Sequence, residues 1–128
     1  TPSSGYHSYS LQDSTYSRKV KYYISQGLAA DAAEAEAKKK VFPAGASEHN
    51  AGLAMDIVSA SSDFVNTKEY QWLVANAYKY GFIERYPESK AAITGITSEP
   101  WHWRYVGAAA AKEIHESGEC LEEYLGLA

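Results

Sequence analysis

The sequence has only one cysteine, no long apolar run and no block of basic residues. A single cysteine cannot form an internal disulfide, and Cys120 lies in a glutamate-rich segment, so we expect no chemical role for it. No apolar run reaches about eighteen residues, so we expect no membrane-spanning segment. The net charge of −4, without a run of about five basic residues, argues against nucleic acid as a partner.

The length of 128 residues fits a single domain. A domain of this size buries roughly two thirds of the surface that its unfolded chain exposes, so a stable core needs no disulfide. No internal repeat or linker is present, and helical and extended patterns follow one another without β-α-β alternation. We therefore predict an α+β fold.

Helical patterns cover residues 11–26, 32–40, 67–80, 108–116 and a short segment over 121–125. Glycine ends three of them, at Gly27, Gly81 and Gly118, as is typical of helix C-termini. Asp31 and Glu34 predict a capping box at the start of the second helix. Thr67 predicts the N-cap of the third.

Extended patterns cover residues 53–58, 82–86, 93–97 and 101–106. In the first, Asp56 projects from the face opposite the leucine, methionine and isoleucine side chains, because side chains alternate along a strand. Gly52 allows a turn that brings His49 back toward Asp56. In the last, the same alternation places His102 and Arg104 together on one face.

The donor groups of a hydrolytic zinc site occur in two short segments, residues 47–56 and 99–105. A catalytic zinc has three protein ligands of the His and Asp/Glu type and lowers the pKa of water from about 15.7 to about 7. A further carboxylate can then transfer protons. We predict that Zn²⁺ is bound by His49, Asp56 and His102, with Glu99 as the catalytic base.

Two alternatives for Glu99 are a fourth metal ligand and an ordinary surface carboxylate. Asp56 already completes a set of three ligands, which favours the base. Glu99 and His102 are three residues apart and would face opposite ways in a regular strand, so both can reach one metal only if the chain bends at Pro100.

These segments resemble the VanY-like D-alanyl-D-alanine carboxypeptidases, which are relatives of the LdcB-type L,D-carboxypeptidases. The family signature S-x-H-x-x-G-x-A-x-D matches residues 47–56, and E-x-W-H-x-R-Y matches residues 99–105. Residues 4–12 and 80–87 resemble two further family segments, so the likeness covers nearly the whole chain. It implies a small antiparallel sheet flanked by helices, the fold of the DD-peptidase and hedgehog-like zinc peptidases.

The resemblance also implies a function. We expect one catalytic peptidase domain over residues 1–128, which uses Zn²⁺ to remove a terminal D-alanine from a peptidoglycan stem peptide. We expect it to act as a monomer in an extracytoplasmic place: the periplasm, the cell surface or the medium. Family members usually have further residues before the Ser4-Gly5-Tyr6 motif, so the chain is expected to be trimmed at its N-terminus.

His7 stands where the family commonly has the arginine that is believed to hold the scissile carbonyl oxygen or the substrate carboxylate. Arginine supplies a permanent charge and a two-pronged donor that histidine lacks. Either His7 performs this catalytic task weakly, or Arg104 or Arg85 assists, or the preferred substrate differs.

Three further residues are candidates for substrate binding. Ser47 and Gln12 resemble residues that line the family's substrate site, although turn chemistry for Ser47 and a place on a helix surface for Gln12 fit the sequence equally well. Trp101 could stack on a sugar or pack in the core.

The sequence leaves two rival functions open. One is a cell-wall endopeptidase of the endolysin type, and the other is an inactive module that binds the wall or senses zinc. The sequence does not distinguish D,D from L,D preference.

Overall fold

The structure, a computed structural model, describes residues 1–128 and contains a four-stranded antiparallel sheet with helices packed around it. The strands, in the spatial order β1-β2-β4-β3, are β1 (Pro2–Ser4), β2 (Ala54–Ile57), β3 (Phe82–Glu84) and β4 (His102–Tyr105). The α-helices are α1 (Tyr9–Ser25), α2 (Ala30–Lys38), α3 (Lys68–Asn76), α4 (Ala91–Thr94), α5 (Ala108–Ser117) and α6 (Leu121–Tyr124). Short 3₁₀ helices cover Ser62–Asn66, Ala77–Tyr80 and Glu88–Lys90.

The register of β2 against β4 sets the position of the candidate metal ligands. Asp56 lies directly opposite His102, and Ala54 lies opposite Arg104. Opposed residues of an antiparallel pair project from the same face of the sheet, with their Cβ atoms about 5 Å apart. Strand pairing alone therefore brings two predicted ligands together. The antiparallel sheet with helices around it confirms the predicted α+β fold.

Two apolar clusters enclose the sheet. One contains Ile57, Phe64, Ala77 and Trp103, and α3 covers it with Leu73 and Tyr70. The other lies against β3 on the face of the sheet that carries Arg104, where Ile83 packs against residues of α5 and α6, namely Ala111, Ile114 and Leu121. Burial of these side chains supplies the main driving force for the fold.

Several helix ends agree with the sequence analysis. Thr67 caps α3, since its side chain accepts a hydrogen bond from the backbone N–H of Tyr70 at 3.2 Å. Gly81 ends the following 3₁₀ helix with φ of +86°, and a Cβ added there would lie 2.6 Å from the ring of Tyr105. Only glycine fits this position, because both the backbone conformation and the space exclude a side chain.

Two local predictions are wrong. Asp31 does not cap α2: the helix begins at Ala30 with Ala29 as the N-cap residue, and the Asp31 carboxylate accepts from the N–H of Ala32 inside the first turn. A carboxylate placed there still interacts favourably with the helix dipole. Residues 93–97 are not a strand, because α4 runs through Thr94 and ends at Gly95, which has φ of +73°. A short apolar run does not distinguish strand from helix.

None of the helices combines the length and the apolar character needed to cross a membrane.

Candidate active site

The side chains of His49, Asp56 and His102 form a buried cluster at one end of the sheet. One donor atom from each lies within 4.8 Å of the other two. Asp56 Oδ1 is 3.3 Å from His49 Nε2 and 3.7 Å from His102 Nδ1, yet it is buried without a hydrogen-bond partner. An unpaired buried carboxylate oxygen is costly, and a cation among the three donors would pair it. The donor set therefore fits the predicted zinc ion.

The loop before β2 brings His49 to this cluster. Gly52 adopts φ of +70° in the predicted turn, and its N–H donates to the carbonyl of His49 at 3.3 Å. The chain then enters β2, which presents Asp56 beside the returning histidine. His49 Nδ1 lies 2.6 Å from the carbonyl oxygen of Gly5. Because a carbonyl only accepts, Nδ1 carries the proton and Nε2 offers its lone pair toward Asp56.

A second proton on His49 would also satisfy Asp56 in the absence of a cation. Burial alone lowers the pKa of His49, but the adjacent negative charge of Asp56 outweighs burial and raises this pKa above its ordinary value. The two groups thus form a site that attracts positive charge, whether a proton or a metal ion.

Glu99 reaches the cluster through a tight turn. The N–H of His102 donates to the carbonyl of Glu99 at 3.0 Å, and the fully buried Pro100 lies between them. Trp103 Nε1 donates to the Pro100 carbonyl at 3.0 Å and so anchors the turn from the other face of the sheet. The bend predicted at Pro100 is confirmed, since Glu99 Oε2 lies 3.5 Å from His102 Nδ1.

The environment of Glu99 suits a group that exchanges protons. Burial, together with the negative charge of Asp56, raises the pKa of Glu99 to about 8 in the metal-free protein. A bound cation would lower this pKa toward neutrality, because positive charge favours the carboxylate form. Catalytic acids and bases commonly have pKa values near the working pH.

His7 lies against the cluster as well. Its ring stacks on that of His49 with the centroids 4.2 Å apart. Its Nε2 is 2.7 Å from Ser4 Oγ, and its Nδ1 is 3.1 Å from Gln12 Oε1. The structure thus places His7 beside the candidate metal ligands, where a residue that contacts the substrate carbonyl or carboxylate is expected to lie.

Gln12 is buried beneath His7 and does not lie on a helix surface. Its amide N–H donates to the carbonyl of Phe42 at 2.7 Å, while its oxygen faces His7 Nδ1. Both ends of the amide are engaged within the chain, which indicates a supporting role under His7.

Three other candidate residues are also engaged within the chain. Ser47 is buried, and its hydroxyl accepts from the N–H of His49 at 3.2 Å, which is turn chemistry. Trp101 is partly buried and packs against the apolar cluster that contains Trp103. Arg104 lies 3.0 Å from Glu48. The structure brings Ser47 and Arg104 close to the metal ligands but packs Trp101 against the edge of the apolar core.

Glu48 is the residue near this site that the sequence analysis missed. Its Oε1 lies 2.6 Å from Arg85 Nε and 3.0 Å from Arg104 Nη1, and its Oε2 lies 3.0 Å from His102 Nε2. Burial alone raises the pKa of Glu48, but the His102 hydrogen bond and the charge of Arg85 lower it to about 2. One feature of the sequence could have indicated Glu48: it directly precedes His49, at a position that the family signature leaves variable.

Comparison with known proteins agrees with this geometry. A family model described as VanY, D-alanyl-D-alanine carboxypeptidase, matches residues 1–108. The D-alanyl-D-alanine carboxypeptidase of Enterococcus faecalis is 45% identical over 122 residues, which is 95% of this chain and 46% of the relative. The carboxypeptidase YodJ of Bacillus subtilis, itself described as putative, is 44% identical over 127 residues, 94% of this chain and 43% of the relative. The chain thus spans less than half the length of these relatives.

Solved structures show the same fold. VanYB in complex with D-alanine-D-alanine has a TM-score of 0.85 and 44% identity, and the match covers 98% of this chain and 70% of that one. A variant of the VanB-type D,D-pentapeptidase VanY in complex with Zn(II) has a TM-score of 0.82 and 42% identity, with the same coverage. The L,D-carboxypeptidase LdcB has a TM-score of 0.81 and 40% identity over 97% of this chain and 56% of its own.

Proposed function

This chain belongs to the VanY family of D-alanyl-D-alanine carboxypeptidases, and from that premise we propose that it is a zinc-dependent carboxypeptidase that removes the terminal D-alanine from peptidoglycan stem peptides. The observation that carries the proposal is the buried cluster of His49, Asp56 and His102, in which Asp56 Oδ1 has no partner, with the carboxyl group of Glu99 beside it. This combination supplies a metal site and a separate proton-transfer group.

The relatives support the substrate class. One similar structure contains D-alanine-D-alanine, and another is described by its recognition of peptidoglycan. Proteins at least 40% identical to this chain include both a D-alanyl-D-alanine carboxypeptidase and an L,D-carboxypeptidase. Both descriptions imply removal of a C-terminal D-residue from a peptide, and for this chain we propose that the residue removed is D-alanine. We further propose that the chain acts as a monomer outside the cytoplasm, where peptidoglycan lies.

Zinc bound by the three ligands would polarise the scissile carbonyl group and lower the pKa of a water molecule. The side chain of Glu99 then accepts a proton from the attacking water and donates it to the leaving amine nitrogen. Glu99 is suited to both steps because its pKa is raised in the free site, so that it gains and loses a proton near neutral pH.

His7 is the proposed contact for the carbonyl oxygen or the terminal carboxylate of the substrate. Arg85 is paired with Glu48 and Glu122, and Arg104 is paired with Glu48, so neither guanidinium is free for this task. His7 lies against His49, and only the hydroxyl of Ser4 engages its Nε2. A substrate oxygen that replaced this hydroxyl would receive the hydrogen bond when His7 is protonated there.

The proposal is tested by incubating the zinc-loaded protein with two synthetic stems, a pentapeptide that ends in D-Ala-D-Ala and the corresponding tetrapeptide. We expect mass spectrometry to show the loss of one alanine from at least one stem. The double variant His49→Ala/His102→Ala is the control and should release none. Zinc-loaded protein that leaves both stems intact, or cuts only an internal bond, would contradict the proposal.

A further inference from the structure

Glu48 contacts His102 on the side of the ring that faces away from the candidate metal centre. The distance from Glu48 Oε2 to His102 Nε2 is 3.0 Å, whereas His102 Nδ1 faces Asp56 and Glu99 at 3.7 Å and 3.5 Å. Only 11% of the Glu48 side chain and 6% of the His102 side chain are exposed. Solvent therefore competes little for this hydrogen bond.

This contact decides which nitrogen of His102 can bind a metal. A carboxylate accepts hydrogen bonds and has none to donate, so the proton of neutral His102 lies on Nε2. Nδ1 then keeps its lone pair, which points into the cluster with Asp56. In the other tautomer Nδ1 would carry the proton and could not act as a ligand.

Two arginines keep Glu48 charged and in place. Both bind the same carboxylate oxygen, Oε1: Arg85 through Nε at 2.6 Å and Arg104 through Nη1 at 3.0 Å. Oε2 is left for His102. Arg85 is held in turn by Glu122 at the start of α6, where its two terminal nitrogens contact the two carboxylate oxygens. The network contains two guanidinium and two carboxylate groups, so its charges balance.

We propose that Glu48 is a positioning residue, which holds His102 in the tautomer with the proton on Nε2 and so directs Nδ1 toward the metal. The inference rests on the proposed zinc site but concerns a residue that binds neither metal nor substrate. Carboxylate partners of metal-bound histidines typically change metal affinity by 10- to 100-fold when they are replaced.

Glu48→Gln is the sharpest variant, because it keeps the shape and removes one acceptor atom. Three donors then compete for a single amide oxygen. Since Arg85 and Arg104 both bind Oε1 in the native protein, we expect the amide oxygen to remain with them and the NH₂ group to face His102. His102 Nε2 must then accept a hydrogen bond, and its proton moves to Nδ1.

The matched control is Glu122→Gln. It also removes one carboxylate charge from a partner of Arg85, but Glu122 does not contact His102. Any effect of net charge or of a loosened Arg85 appears in both variants, whereas the tautomer of His102 should change only in Glu48→Gln.

Two measurements test the proposal. Long-range ¹H–¹⁵N NMR on zinc-free protein reports the protonated nitrogen of each histidine without any need for metal or activity. We expect the proton of His102 on Nε2 in the native protein and in Glu122→Gln, and on Nδ1 in Glu48→Gln. Competition with a chromophoric chelator gives the zinc affinity, which should fall about 10- to 100-fold in Glu48→Gln and about threefold or less in Glu122→Gln.

Native His102 with its proton on Nδ1, or an unchanged tautomer and zinc affinity in Glu48→Gln, would overturn the inference. If Glu48→Gln does not fold, Glu48→Ala provides the same test, because it removes the acceptor entirely and should leave a mixture of tautomers with weaker zinc binding. A native protein that binds zinc and has the expected tautomer, yet releases no D-alanine, would refute the proposed function and leave this inference standing.

Discussion

The two faces of the central sheet are made from the same strands and are held together in different ways. One face, the metal face, presents the polar groups of Asp56, His102 and Arg104, each close to particular polar atoms, next to the apolar Ile83. The other, the apolar face, presents Ile57 and Trp103 to a cluster held by apolar packing, beside the hydrogen bond from Trp103 Nε1 to the Pro100 carbonyl. Polar contacts fail when one atom is changed, whereas apolar packing fails when volume is lost.

The two faces also differ in shape, and the groove described next does not lie beside the candidate metal ligands. A groove of about 500 Å³ lies on the apolar side, where Met55, Ile57, Trp72 and Leu73 line it. The chemistry lies on the metal face, where the functional groups are buried and close together. In this protein the arrangement of donor atoms identifies the site better than the size of a cavity does. The following predictions, from the largest expected effect to the smallest, test this contrast between the faces.

Glu99→Gln tests the metal face by changing one atom. We expect the variant to keep its zinc and to lose about 10²- to 10⁴-fold in kcat on a D-alanine-terminated peptide, because an amide cannot transfer the proton. Metal analysis and steady-state kinetics measure the two properties. The exposed Glu88→Gln is a matched control that should retain full rate. Loss of zinc from Glu99→Gln would make Glu99 a ligand, and an unchanged rate would exclude it as the base.

Trp103→Ala tests the apolar face by removing volume. Trp103 is 3% exposed, and the free energy of unfolding should fall by about 3–5 kcal/mol, measured by urea denaturation. Trp72 is 51% exposed, so the control Trp72→Ala should cost about 1 kcal/mol or less. Similar losses from the two variants would mean that burial on this face does not set the energetics.

The pH dependence of stability distinguishes the faces in zinc-free protein. The pKa of Glu99 is about 8 in the folded state, against 4.5 when unperturbed. Between these values the folded state binds more protons than the unfolded state, so the free energy of unfolding falls as pH rises from 4.5 to 8, by an amount on the order of a few kcal/mol.

His49 acts in the same direction, because its pKa is also raised and its stabilising proton is lost as pH rises. Urea denaturation at pH 5 and pH 8, with a chelator present, measures the total change in the free energy of unfolding that these groups cause. Glu99→Gln should show a clearly smaller fall, and the remainder belongs to His49 and to Glu84, whose pKa is also raised by burial. Equal falls in the native protein and the variant would show that Glu99 is not buried as a neutral acid.

His7→Arg sharpens the description of the metal face. Ser4 Oγ and Gln12 Oε1, which flank His7, can both accept hydrogen bonds from a guanidinium group. A charged donor beside the substrate oxygen should raise turnover about ten-fold, since charged hydrogen bonds are roughly twice as strong as neutral ones. His115→Arg, at an exposed histidine far along the chain, should leave turnover unchanged. An equal or lower rate for His7→Arg would place His7 outside the substrate contact.

Several features of this fold depend only on interactions between residues near one another in the sequence, and the sequence was therefore sufficient to predict them. Alternation along β2 and β4 predicted the side of the sheet on which Asp56 and His102 lie, because a strand has a strict period of two. Gly52, Gly81 and Thr67 act through their own backbone or their own hydroxyl, and each takes the predicted conformation. The start of α2 and the path of residues 93–97 were mispredicted, because several local solutions have nearly equal energy there.

Only the tertiary structure determined which residues form hydrogen bonds to the candidate metal ligands. Glu48 lies 54 positions before His102 and 37 before Arg85, and nothing in the spacing indicates that they meet. In the same way, the carbonyl of Gly5 orients His49 across 44 positions, and Gln12 supports His7 from inside the fold. The sequence determines which groups are available and which face of a strand presents them. The packing of distant segments determines their hydrogen-bond partners and hence which nitrogen of each histidine is free to bind a metal.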